Sequence, residues 1–162
     1  MVCGMRTALK VGFSFGLTSG VITTLGLMVG LHAGTHSMPA VLGGILTIAL
    51  ADAMSDALGI HVAEESKNHG NTHDIWASTM ATFVAKFVIA TTFAVPVLLM
   101  PLDLAVVASL LWGLTLLALL SYALARAQRV PPWIVIGEHV IIGLCVVAMT
   151  HYLGAWVRVT FG

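Results

Sequence analysis

The sequence predicts an all-α polytopic membrane protein, a single domain over residues 1–162 built from five transmembrane helices, and three observations predict it. Hydrophobic residues make up 59% of the chain, and Asp, Glu, Lys and Arg only 9%, where a water-soluble domain carries about 25% charged residues. The mean hydropathy is +1.01, which leaves too little polarity to cover a water-facing surface. Apolar stretches of about 20 residues, enough to cross a hydrocarbon layer of about 30 Å, recur five times between turn or charge signals. The net charge is zero with no Lys/Arg cluster, which argues against a nucleic-acid partner. Cys3 and Cys145 form no metal or redox pattern. No H-E-x-x-H or Ser/His/Asp pattern suggests an enzyme.

The first span covers roughly 9–32. Its apolar run from Val11 to Leu31 exceeds the roughly 7 to 15 residues of a signal-peptide core, so it is retained as a span. The second, at 39–63, follows the break from His32 to Pro39, and the third, at 75–98, follows the segment from Glu64 to Asp74. Pro96 and Pro101 end the third before the fourth begins at 103, since one helix from 75 to 126 would far outrun a bilayer. The fourth ends near 126, and the fifth runs over 132–156 after Arg126 to Pro132. Arg6, Lys10, Lys67, Arg126 and Arg129 flank one side and only Arg158 the other. The N-terminus is therefore expected in the cytoplasm and the C-terminus outside, and the short loops suggest a prokaryotic cell membrane.

In the first span Gly12, Gly16 and Gly20, then Gly26, Gly30 and Gly34, recur every four residues. At 100° per residue all six fall on one stripe about 120° wide, with Ser19 and Thr23 among them. Such small-residue faces let membrane helices pack backbone to backbone. The stripe suits packing within the chain, a homodimer seam, or the border of a hydrated path.

Charges within spans are costly and mark function by default. Asp52 and Asp56, one turn apart, share a face of the second span; Lys86 lies in the third and Glu138 in the fifth. Counting rise per residue puts Asp56, Glu138 and Lys86 roughly 11, 9 and 16 Å from the cytoplasmic helix ends, in a common layer. Three carboxylates facing one lysine lack at least one proton or cation. Carboxylate oxygens suit Mn²⁺ or Fe²⁺. Glu64 and Glu65, with His69, His73 and Asp74, stand at the expected cytoplasmic mouth, where a solvated loop is the plainer reading. Cys145 and Met149 follow the Glu138 direction as soft ligands or packing residues, and His32, His36 and His151 gather on the expected outer side. His61 and His139 read as boundary and packing residues.

V-G-F-S-F-G-L-T-S-G-V-I-T-T-L-G-L-M-V-G-L in the first span and A-D-A-M-S-D-A-L-G-I-H-V-A-E-E-S in the second resemble the paired signature of the vacuolar iron transporter family, which includes nodulin-like proteins. The resemblance covers residues 8–66. It implies a five-helix homodimer whose first spans meet at the two-fold axis and line the ion path. It also implies proton-coupled export of Fe²⁺, often Mn²⁺, from the cytosol with no permanent cofactor. Phe15 stands where the family usually has an aspartate, and Asp56 where it usually has a methionine. The family's cytoplasmic metal-binding insertion is replaced by about eleven residues, so this is a short form. The expected function is thus export of a divalent metal in exchange for protons. Asp52, Asp56 and Glu138 form the path, Lys86 modulates it, and Glu64 and Glu65 stand at its mouth. The rival is a non-transporting assembly or regulatory protein whose buried charges are structural.

Overall fold

A computed structural model describes the backbone of residues 2–67 and 71–162 and the side chains of 7–67 and 71–162. His69 and the side chain of Arg6 lie outside the described residues. Six helices follow one another: α1 (Val2–Thr35), α2 (Met38–Glu65), α3 (Thr72–Thr92), α4 (Ala94–Leu99), α5 (Leu102–Gln128) and α6 (Pro132–Phe161). With α3 and α4 taken as one kinked segment, five are long and apolar enough to cross a membrane. Each contains the span expected of it.

The breaks have local causes. Ser37 caps α2, its hydroxyl accepting the Ala40 N–H at 3.4 Å, and Asn71 caps α3 through the His73 N–H. Pro96 has no N–H to give the Thr92 carbonyl, and its ring collides with that turn, so the helix breaks at Phe93. Met100 is extended before Pro101, which separates α4 from α5. Arg129 closes α5 in the left-handed conformation, φ 58°, and Pro132 opens α6 at its first turn.

Helix α1 is the centre of the bundle, packed by α2, α3, α5 and α6. Half of its most apolar stretch is buried, against 6% for α6, which sits at the rim on α1 and α5. The glycine stripe explains this position. Along the first half of α1, α3 runs beside it so closely that a Cβ at Gly12 would strike the Ser78 carbonyl, and one at Gly16 would stand 3.1 Å from Thr82 Cα. Along the second half α6 takes over, with Val146 and Thr150 against Gly26 and Gly30 and with Gly154 against Gly34. Of the readings the stripe allowed, packing within the chain is the one seen: two helices of the same chain cover it.

The half of the bundle beyond the middle of α1 holds the apolar core, in which Val21, Leu25 and Met28 meet Val41, Ile45, Phe93, Val97 and Leu117. The half near the start of α1 is instead built from small and hydroxyl residues. Ser78, Thr79 and Thr82 are buried there and bond back to their own helix, and Thr82 also lies 3.2 Å from the Gly12 carbonyl. Hydroxyls satisfied in this way can face a neighbouring helix without stranding a polar group. On α2 the row Val41, Ile45, Ala49, Ala53 and Ala57 is buried. A second row, Gly43, Thr47, Ala51, Ser55, Gly59 and Ala63, is fully on the surface. Nothing lies within 4 Å of where a Cβ at Gly43 or Gly59 would be.

Candidate functional site

Three of the expected charges meet. Lys86 projects from α3 toward the α1–α2 groove and is 1% exposed. Its ammonium lies 2.6 Å from Asp52 Oδ2 and 2.5 Å from Asp56 Oδ2. It also donates to Ser19 Oγ at 2.9 Å, and that hydroxyl donates in turn to Asp56 Oδ2 at 2.7 Å. The i,i+4 spacing places both aspartates on the flank of α2 beside its buried alanine row. Ala53 and Ala57 keep that row thin. Gly20, next to Ser19, gives the lysine its passage: a Cβ there would stand 3.2 Å from Lys86 Cγ.

The two aspartates are not equivalent. Asp56 accepts hydrogen bonds from both Lys86 and Ser19. Asp52 Oδ2 is close enough to Lys86 for an ion pair but is buried without a hydrogen bond of proper geometry. The aspartate side chains keep 29% and 21% of their surface, on the side that borders Ala51 and Ser55 of the exposed row. With all three groups ionised the cluster carries one negative charge in excess. Taking ions out of water is costly, and mutual attraction repays the cost only where the geometry is complete. Here it is complete for Asp56 and incomplete for Asp52.

Glu138 does not join this cluster. Helix α6 packs mainly on α1 and α5, which leaves Glu138 on its exposed face with no ion pair or hydrogen bond among the described residues. Cys145 and Met149 share that outward face, Met149 at 70% exposure. The row of a carboxylate followed by sulfur groups therefore lines the surface of the bundle and no path inside it. Glu64 pairs with Lys67 at 2.6 Å, and Glu65 is exposed at the last residue of α2. Phe15 is 43% exposed on α1, one turn before Ser19.

Five of the described histidines settle into packing and end contacts. His139 Nδ1 lies 2.8 Å from Ser121 Oγ, and His61 bonds Thr79 and stands edge-on to Trp76. At the other end of the bundle His32 bonds Asp103 at 2.8 Å, and the Arg158 guanidinium lies 3.1 Å from His36 Nδ1. His151 packs on Tyr152 rather than with them. Among the described residues no group of three or more His, Cys, Asp and Glu is arranged to hold a metal ion. Ser19 is the site residue that sequence reasoning missed. It was visible as a hydroxyl on the glycine stripe, but only the packing of α1 on α2 and α3 turns it toward Asp56. No family model and no curated protein matches the chain.

Proposed function

We propose that the chain is a membrane transporter that exports a divalent cation, Fe²⁺ or Mn²⁺, from the cytosol in exchange for protons, with Asp52 and Asp56 as its carboxylate ligands. One observation carries this reading: a lysine buried in a membrane span is shared by two carboxylates, so the cluster is one positive charge short and asks for a proton or cation. Oxygen donors favour hard or borderline divalent ions. The resemblance of residues 8–66 to vacuolar iron transporters supports the choice of ion and the direction. The charge bias of the loops supports a cytoplasmic N-terminus and an outside C-terminus.

A pair of chains belongs to the same reading. The row from Gly43 to Ala63 on α2 is the uncovered small-residue face, and it borders the exposed sides of Asp52 and Asp56. Two copies packed there would bring four aspartates around one axis. The second reading is a non-transporting membrane protein with a structural ion-pair cluster, and the absence of a ready metal-holding group among the described residues favours it.

Uptake into proteoliposomes decides between them, with Fe²⁺, Mn²⁺, Co²⁺ and Zn²⁺ offered in parallel and internal pH followed. Metal flux with opposite proton movement, lost in the D52N/D56N double variant, is the expected result. Flux of none of the four, with the double variant lowering only the folded yield, would favour the structural reading.

A further inference from the structure

We propose that Lys86 is a tethered competitor of the transported cation: its ammonium holds the ion's position among Ser19, Asp52 and Asp56 and must leave those oxygens before a divalent ion takes them. The proposal rests on the transport reading above. Three oxygens from two helices converge on one Nζ, at 2.5, 2.6 and 2.9 Å. An ammonium and a metal ion use the same oxygen lone pairs, so the two cannot be held there together.

Three features fit an occupant that exchanges better than a fixed pin. Asp52 Oδ2 is ion-paired with the ammonium at 2.6 Å but without a hydrogen bond of proper geometry, so the lysine holds it less well than it holds Asp56. Both carboxylates keep an exposed side, which gives an ion access without unpacking the lysine's own helix. The arm passes Gly20, where a Cβ would stand 3.2 Å from Lys86 Cγ, and a lysine side chain has a flexible four-carbon stem on which its ammonium can change position. Charge then acts as a valence control. With the ammonium in place the carboxylates present one net negative charge, and with it removed they present two, the match for a divalent ion.

The test is Mn²⁺ binding to the purified protein, read from the electron paramagnetic resonance signal of free Mn²⁺, for the wild type, K86M and K86Q. K86Q keeps a hydrogen-bond donor for the aspartates where K86M fails to fold. The expected result is binding at least about tenfold tighter in the lysine variants, as loss of a unit charge at ion-pair distance implies, and return to weak binding when D52N is added. Wild-type binding with equal or weaker binding in the variants would overturn the competitor role and leave the transport reading standing. Binding in none of the proteins would overturn both. The wild type gives an independent measurement through its three lysines, Lys10, Lys67 and Lys86. With ¹⁵N-lysine labelling and assignment by K10R and K67R, saturating Zn²⁺ should shift the Lys86 Nζ resonance. An unmoved signal at saturation would overturn the proposal.

Discussion

Asp52 and Asp56 differ by one hydrogen-bonded hydroxyl, and that difference should be measurable. Breaking a buried pair by removing one partner costs about 3–5 kcal/mol in a dry interior, and less here because each carboxylate keeps part of its surface. D56N removes the charge from the acceptor that the ammonium and Ser19 share, leaving at most one neutral amide oxygen for both. It should therefore lower the apparent Tm in detergent more than D52N does, with S19A costing about 1 kcal/mol, the scale of a single hydrogen bond. Ser109 and Thr24 present the opposite case, since their hydroxyls are buried without a partner. S109A and T24V should match or exceed the wild-type Tm, because each deletes an unsatisfied polar atom. At this scale the sequence showed which residues were costly but not which of them meet. The spacing of Asp52 and Asp56 announced a shared face, yet nothing local could tell that Lys86 would choose both of them and never reach Glu138.

Among the elements, α1 and α2 offer a matched contrast in glycine. Gly12 and Gly16 face backbone atoms of α3 that cannot retreat, whereas Gly43 and Gly59 face open space. G16V should cost most of the folded yield, and G43A and G59A should leave the monomer fold intact; size-exclusion profiles of the four proteins check this. Pro96 marks the one break inside a span. P96A should restore the helical bond to Thr92 and join α3 to α4, seen as slowed amide exchange around Phe93. The spans themselves were legible because length, hydropathy and proline breaks are local properties. The neighbours of each span were not. In helices apolar on every side, periodicity gives no direction to the core, so the six glycines read as one stripe with no named neighbour, while the bundle divides them between α3 and α6.

For the whole molecule, the proposed pairing along α2 makes a geometric prediction. In a protein with Cys3 and Cys145 replaced, S55C should form a disulfide-linked dimer under mild oxidation, while A148C, on the exposed side of α6, should not. Cross-linking through A148C alone would move the pairing to α6 and separate it from the aspartates. The shared position of α1 has a further consequence, for the order in which the bundle can be completed. Its first glycines are met by α3, made early, but Gly26, Gly30 and Gly34 wait for α6, made after α3, α4 and α5. Until residues 132–161 are made, the glycine side of that half has no covering helix. In order of synthesis, every residue of the polar cluster, on α1, α2 and α3, therefore precedes the helix that covers the second half of the glycine stripe.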